Sequence, residues 1–344
     1  MKTKHKNIPI FIPHLGCPNT CVFCNQRSIS GKQSFCKESV KREIDAALAT
    51  VSPDSEVEIA YFGGSFTGID RELMRYLLDL AKDYVDSPAE GLARVSGIRM
   101  STRPDYIDDG IMKILSEYPV VAVELGLQSM DDSVLARSKR GHTAKQAEEA
   151  CKRIKAAGYS LVGQMMIGLP DSTPEKEIYT AEKICDMGAD GARIYPTVTF
   201  YDTELAEMAA RGEYEMLALD DAVRRSKDAL KIFREHGVEC LRIGLCASDN
   251  MGDPTKVMGG ANHPALGELV MGELYYDRMR ELLDRRADTD EMRGKTVRFV
   301  VPQGDVSKAI GQKGINKKRL TDEYSLKGVT VTESADVDEI ILNL

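Results

Sequence analysis

Residues 8–24 read Ile-Pro-Ile-Phe-Ile-Pro-His-Leu-Gly-Cys-Pro-Asn-Thr-Cys-Val-Phe-Cys, an apolar run from Ile8 to Ile12 that opens into a loop carrying Cys17, Cys21 and Cys24. A short buried strand followed by a loop of reactive side chains is half of a βα unit, and the pattern recurs along the chain. Further strand-like runs are Val57 to Phe62, Ile98 to Met100, Val120 to Leu125, Leu161 to Ile167 and Gly191 to Tyr195. Between them apolar residues fall at helical spacing, as in Val40, Ile44, Ala47 and Leu48, or Leu73, Tyr76, Leu77 and Leu80. Six βα units in sequence predict a parallel sheet with helices outside it, as an open doubly wound sheet or a complete or partial barrel. In each of these the chemistry lies beyond the C-terminal strand ends. The unusual residues fall there: the cysteines, Gly63-Gly64-Ser65, Thr102-Arg103-Pro104-Asp105, Gly126-Leu127-Gln128-Ser129, Gly168-Leu169-Pro170 and Pro196-Thr197.

The rest of the composition bounds the reading. A chain of 344 residues, 42% hydrophobic and 29% charged, folds as about two domains and excludes disorder. No apolar run approaches the ~20 residues a bilayer requires, and Ile8 to Ile12 is too short for a secretory signal, so a cytoplasmic protein without a membrane segment is expected. After residue 200 the pattern turns helical, with Thr203 to Arg211 and Asp220 to His236, and a short apolar run at Val238 to Leu245. A glycine-rich stretch at residues 258–264 has no assignment from the sequence, and a charged helix runs from Glu268 to Arg286. The polar stretch Ala287 to Gly294 is the expected boundary, giving a barrel over residues 1–210, a helical extension over 211–292 and a small domain over 293–344.

Three cysteines spaced by three and then two residues suit an iron–sulfur cubane in which the fourth iron has no protein ligand. A structural zinc site is the alternative, but it needs a fourth ligand; His14 is too close and no second Cys-x-x-Cys exists. Cys36, Cys151, Cys185, Cys240 and Cys246 read as buried apolar residues, and His142 and His263 as either site residues or satisfied loop histidines.

With these residues the chain resembles the radical SAM superfamily. The resemblance implies that Cys17, Cys21 and Cys24 hold a [4Fe-4S] cluster whose open iron binds S-adenosylmethionine (SAM), that Phe23 lies beside the adenine, and that Tyr61 to Phe66, with Gly63, Gly64 and Ser65, cradles the methionyl ammonium. It tightens over residues 98–200. Thr102 to Asp105, Val123 to Ser129, Lys139 to Thr143, Met165 to Pro170 and Ile194 to Thr197 are similar, in order, to the Elongator catalytic-subunit-like family of tRNA-uridine modifying enzymes. The oxygen-independent coproporphyrinogen oxidase family shares a weaker version. By that resemblance Arg103, Gln128, Arg140 and the fifth-strand Gln164 contact the cofactor, Gln128 and Arg140 holding the ribose hydroxyls and the methionyl carboxylate. Ser101 stands where both families carry an acid and Gln164 where the coproporphyrinogen oxidase family has an aspartate; no acetyltransferase domain is expected after the barrel, so acetyl-CoA as carbon donor is not implied.

The C-terminal stretch is basic instead. Residues 293–319 carry eight basic side chains against Asp305 alone, +7 within a chain of net charge −8. There the strand Thr296 to Val301, a helix, Gly311-Gln312-Lys313-Gly314, a second helix and the strand Gly328 to Thr332 resemble a KH domain, whose GxxG loop clamps single-stranded nucleic acid. The resemblance implies that Gly311, Gln312, Lys313, Gly314, Lys317, Lys318 and Arg319 meet RNA. The expected fold is a partial (β/α)6 TIM-like barrel with a small C-terminal α+β KH-like domain. The expected function is SAM cleavage to a 5'-deoxyadenosyl radical for modification of RNA, with tRNA and an electron donor such as ferredoxin or flavodoxin as partners. Two alternatives stand beside it: a radical SAM oxidase or decarboxylase of a small molecule, and an RNA-binding protein with a structural or redox-sensing cluster.

Overall fold

The computed structural model describes residues 5–12, 15–17, 21–25, 34–88, 90–245, 252–286 and 292–343. Its described residues divide into two compact units, one built on residues up to 218 together with 232–262, the other on residues 219–231 and from 263 onward.

The first unit is a curled parallel sheet, a partial barrel, of seven strands in chain order: β1 (His5–Ile12), β2 (Glu56–Gly63), β3 (Arg94–Thr102), β4 (Val120–Gln128), β5 (Ser160–Ile167), β6 (Gly191–Pro196) and, beyond the short β7 (Val198–Phe200), β8 (Glu239–Ile243). The apolar run at 238–245 is thus a seventh barrel strand that the periodicity alone left unassigned. Its alternation of exposed and half-covered residues differs from the near-continuous burial of β4, as fits the outermost strand of a sheet covered by crossover helices. Strand β9 (Val257–Gly260), in the glycine-rich stretch, pairs antiparallel with β7.

Helices α1 (Val40–Leu48), α2 (Arg71–Asp86), α3 (Asp109–Leu115), α4 (Asp132–Arg137), α5 (Ala144–Ala156) and α6 (Pro174–Asp186) fill the crossovers. Their starts are written locally. Asp70, Asp108 and Asp131 accept from the first free N–H groups of α2, α3 and α4, Thr143 and Gln146 form a capping box at α5, and Thr173 caps α6 ahead of Pro174. Helix α2 shows why its face turns inward: Met74, Leu77, Leu78 and Ala81 fall at helical spacing and are all buried.

The second unit has its own core. Strand β10 (Thr296–Pro302) lies between the parallel β11 (Gly328–Ser334) and the antiparallel β12 (Ile341–Asn343). The helices Val306–Ile310 and Ile315–Glu323 flank the Gly311–Gly314 loop. This is the strand–helix–helix–strand order expected from the sequence. The long helix over Leu266–Asp284 places Tyr276, Met279 and Leu283 in one cluster with Val297, Phe299, Val301 and Leu320, so it shares the core of the C-terminal strands. The extension expected over residues 211–292 is therefore divided between the units, and the expected boundary lies largely outside the described residues. No helix among the described residues is long and apolar enough to cross a membrane.

Candidate functional site

Strands β1 and β2 pair in register with Ile12 opposite Gly63, so the cysteine loop leaves the sheet beside the glycine pair. The Gly64 N–H donates to Ile12 O at 2.8 Å and the Ser65 N–H to Leu15 O at 3.1 Å, which ties the first turn of the loop to the second strand. A Cβ on Gly64 would stand 2.2 Å from Leu15 O, and backbone cannot move aside as a flexible side chain can. Gly64→Ala is expected to cost about 1–3 kcal/mol and to displace Leu15 to Cys17, read as a lowered unfolding temperature of the protein without cofactors; unchanged unfolding would show that the loop has another seat. Ser65 itself is buried and faces Thr102 and the Arg103 N–H rather than the cavity, so it braces two strand ends against each other.

The far end of the loop is anchored by Val22, 1% exposed. Its N–H donates to Ser138 O, its carbonyl accepts from Leu205, and its side chain packs with Leu205 and Met208 while Phe23 leans on the same cluster. So held, Cys17, Cys21 and Cys24 line one cavity of about 350 Å³ at the C-terminal strand ends, with Phe23, Gly63, Gly64, Arg103, Gln128, Arg140 and Gln164. Burial pushes the Cys17 thiol above its ordinary range, against the opposing pull of Arg140 and Arg103. No group of three or more His, Cys, Asp or Glu side chains among the described residues closes round a single metal ion.

Two arginines face the thiols. Arg103 is 2% exposed and grips Asp105 with Nε and Nη2, both at 2.9 Å, which leaves its buried Nη1 without a hydrogen-bond partner among the described residues. Arg140, 7% exposed, donates from Nη2 to Gly126 O at 2.7 Å and from Nη1 to Cys21 Sγ at 3.5 Å; its Nε is buried and also unpartnered among the described residues. Buried N–H donors on cations are costly to leave unmade, so this end of the cavity fits an acceptor-rich, anionic ligand group. Gly126 makes the approach possible, because a Cβ there would stand 2.8 Å from both Arg140 Nη2 and Gln128 Nε2.

At the same strand end the β4–β5 register slips between Gly126 and Gln128, and Gln128 takes a left-handed φ of 67°. The bulge aims its amide at Gln164, whose Nε2 donates to Gln128 Oε1 at 2.7 Å. That fixes the Gln128 oxygen as an acceptor within the pair and leaves its Nε2 as the donating end. Ser101 lines the cavity at the position where the resembling families carry an acid. His142 lies behind the lining, with burial and the charge of Arg140 pulling its pKa down to about 3, so the imidazole is neutral.

The sequence reading missed the cavity's deeper wall. Glu58, Arg99, Glu124 and Arg193, on β2, β3, β4 and β6, form a chain across the barrel interior. Each is a charged residue flanked on both sides by apolar ones within its strand, which was the signal available. Glu124 and Arg193 line the cavity together with Phe11, Phe62, Met166 and Tyr195.

In the second unit, Gly311, Lys313 and Gly314 all have positive φ, of 75°, 55° and 74°, and the loop holds Gln312 and Lys313 exposed. Lys317 and Lys318 come next on the first turn of the helix Ile315–Glu323, Lys318 exposed. Arg319 departs from the expected phosphate-binding set: its guanidinium pairs with Glu273 and stacks 3.5 Å from the Tyr276 ring centre, so its charge is engaged within the unit. His263 accepts from the Ala265 N–H through Nδ1 at 3.1 Å, which makes it a satisfied loop residue. Of the remaining cysteines, Cys151 is buried as expected while Cys185 and Cys240 are only half-buried; burial pushes their pKa values up to about 12, 11 and 11. Cys36 corrects the expectation, since it is exposed and donates to Glu38. His14 and Cys246 lie outside the described residues.

Comparison with known proteins accords with this geometry. The model of the radical SAM superfamily matches residues 11–184, and that of the radical SAM C-terminal domain matches residues 189–276. A tRNA uridine(34) acetyltransferase of Methanocaldococcus jannaschii is 25% identical over 74% of this chain and 52% of its own length. Human Elongator complex protein 3 is 25% identical over 61% of this chain and 45% of its own. The chain thus spans about half the length of these two relatives. Among solved structures, the archaeal Methanocaldococcus infernus Elp3 superposes with a TM-score of 0.63 at 21% identity, covering 82% of this chain and 64% of that one, a likeness of fold.

Proposed function

The chain belongs to the radical SAM superfamily, whose members use a [4Fe-4S] cluster and SAM, and from that premise we propose that it modifies a nucleobase of RNA, most plainly tRNA. The observation that carries the reading is the convergence of three thiols and two buried arginines with unpartnered N–H groups on one cavity at the barrel's C-terminal end. The residues present fit the cofactors. Cys17, Cys21 and Cys24 would ligate three irons, and Arg140 would meet the methionyl carboxylate with the fork that Gly126 O orients. Gly63 and Gly64 would let backbone approach the ammonium, Gln128 and Gln164 would hold the ribose hydroxyls as a fixed donor–acceptor pair, and Phe23 would flank the adenine. Arg103, held rigid by Asp105, would keep its free Nη1 on the thiol side. When bound and reduced by an external one-electron donor of the ferredoxin or flavodoxin class, the cluster supplies the electron that cleaves SAM to methionine and a 5'-deoxyadenosyl radical able to take a substrate hydrogen.

The protein's own part is exclusion and placement. The apolar lining of Phe11, Phe62, Met166, Val198 and Phe200 keeps water from the reacting atoms. For RNA, the support is the kinship with tRNA-modifying relatives and the KH-like second unit, whose exposed Gln312 and Lys313 crown a loop of positive-φ residues. The test joins both parts. Anaerobically reconstituted, reduced protein given SAM and tRNA is expected to yield tRNA-dependent 5'-deoxyadenosine and a nucleoside of altered mass. Gln312→Asp with Lys313→Asp should abolish tRNA retention at moderate salt while leaving the unfolding temperature in place, because both side chains are exposed and neither glycine is disturbed. Retention by that variant would refute the clamp, and SAM cleavage that ignores tRNA and leaves its nucleosides unaltered would refute the substrate.

A further inference from the structure

We propose that Thr67 and Thr102 are positioning residues for the cofactor site: with Ser65 they form a directed chain of buried hydroxyls that clasps the turn carrying Arg103 to the turn under the cysteine loop. The chain lies wholly within the first unit. It deepens the proposed function and rests on that reading only where SAM is concerned.

The direction of the chain follows from its protons. The β2–β3 register runs as far as Tyr61 opposite Met100, and beyond it the two strand ends meet through side chains. Thr67 Oγ1 lies 2.9 Å from Tyr106 O and 2.6 Å from Thr102 Oγ1, which in turn lies 2.9 Å from Ser65 Oγ. A carbonyl only accepts, so the single Thr67 hydroxyl proton goes to Tyr106 O, and Thr102 must donate to Thr67. With the Thr102 proton engaged, Ser65 donates to Thr102, and Ser65 Oγ accepts from the Arg103 N–H at 3.2 Å. Each hydroxyl thus gives one bond and takes one. Ser65, Thr67 and Thr102 are 1%, 0% and 4% exposed, so water has little access to these protons and each bond polarises the next.

The chain begins and ends on one turn. The Arg103 N–H feeds it, Tyr106 O receives from it, and the Tyr106 N–H donates to Arg103 O at 3.2 Å, so the residues that carry the Arg103–Asp105 fork close into a ring with the hydroxyls. Because no hydroxyl is charged, the chain holds the Arg103 backbone and leaves its guanidinium to Asp105. On the other side, Thr67 sits in the turn Phe66–Gly68; the Gly68 N–H donates to Ser65 O at 2.9 Å, and Thr67 O accepts from Arg71 Nη1 at 3.0 Å. The cysteine loop rests directly on that turn. A Cβ on Gly16, next to Cys17, would stand 2.1 Å from Ser65 O, and one on Gly68 would stand 2.5 Å from Gly16 O. One set of hydroxyls therefore fixes Arg103, the glycine turn and the start of the cysteine loop in a common frame, with Thr67 behind the cavity lining rather than in it.

Thr67→Val keeps the shape of the side chain and loses its hydroxyl, whereas Thr67→Ser keeps the hydroxyl and loses a methyl. In the full chain without cofactors, amide hydrogen exchange over residues 101–107, read by mass spectrometry, is expected to quicken about tenfold in Thr67→Val and to stay as in the parent in Thr67→Ser. SAM binding to the reconstituted, unreduced protein should follow the same order, falling about fivefold or more in Thr67→Val and little in Thr67→Ser. A threonine that acts by packing alone gives the reverse order, because the buried methyl then matters more than the hydroxyl. Should Thr67→Val fail to fold by circular dichroism, Thr67→Ala compared with Thr67→Ser isolates the hydroxyl in the same two measurements. The reverse order, unchanged exchange in folded Thr67→Val, equal values in Thr67→Ala and Thr67→Ser, or exchange that quickens while SAM affinity holds would each overturn the positioning role. Exchange is read without cofactors and neither readout involves RNA, so a parent that binds no SAM would count against the proposed function while exchange still decides the clasp.

Discussion

Cys21→Ala protein, reconstituted with iron and sulfide in the absence of oxygen and then reduced, is expected to release neither 5'-deoxyadenosine nor methionine from SAM above the background of protein-free reductant. Three thiolates are the whole protein ligand set proposed for the cubane, so removing one opens a second iron and the cluster is lost or converted. The substitution is small and should leave the fold in place. The loop hangs on Val22, whose N–H, carbonyl and side chain are all engaged by Ser138, Leu205 and Met208, none of which depends on the Cys21 thiol. Cys36→Ala, at an exposed thiol outside the cavity, is the matched control and should leave iron content and SAM cleavage as in the parent. Iron and sulfide analysis separates the two ways of being wrong. A Cys21→Ala protein that keeps four irons and cleaves SAM would remove this thiol from the ligand set; a parent protein that takes up no cluster would remove the site.

How this centre could be read before the fold was known depends on which of its parts are local. The cysteine loop, the glycine pair and the residues from Thr102 to Asp105 sit within a few residues of a strand end, so the βα pattern alone put them at one end of the sheet, and the cavity gathers residues from all three. Gln128 and Gln164 were visible for the same reason, though their pairing depends on a register slip that no periodicity encodes. The lumen chain was hidden by distance: Glu58 and Arg99 stand 41 positions apart, Glu124 and Arg193 stand 69 apart, and only the closing of the sheet brings them together. Arg319 shows the opposite failure. It belonged to a basic run that read as solvated and phosphate-facing, yet Glu273 and Tyr276, on a helix more than forty residues upstream, engage its charge. A charge run fixes composition, and tertiary pairing decides which of its members remain for a ligand. The seventh strand was missed because five residues with one face half covered carry too little alternation to separate a strand from a loop.

The second large effect concerns Arg140, and its logic is the unpartnered nitrogen. The guanidinium is buried, steered by Gly126 O, and pairs with no carboxylate among the described residues, so a ligand carboxylate would supply it with a counter-charge. Arg140→Met is therefore expected to weaken SAM binding to the reconstituted, unreduced protein by about 2–5 kcal/mol, from roughly thirtyfold to more than a thousandfold. Arg140→Lys should recover little of this, because an ammonium cannot hold Gly126 O and a carboxylate in the same planar fork. A merely structural arginine could also weaken binding by loosening β4, and 5'-methylthioadenosine distinguishes the two. It keeps the adenine, ribose and sulfur of SAM but lacks the amino-acid arm, so its affinity should be the same in the parent and in Arg140→Met while that of SAM falls toward it. If both ligands weaken together, Arg140 shapes the pocket without meeting the carboxylate, and the anionic end of the ligand must be sought at the free Nη1 of Arg103.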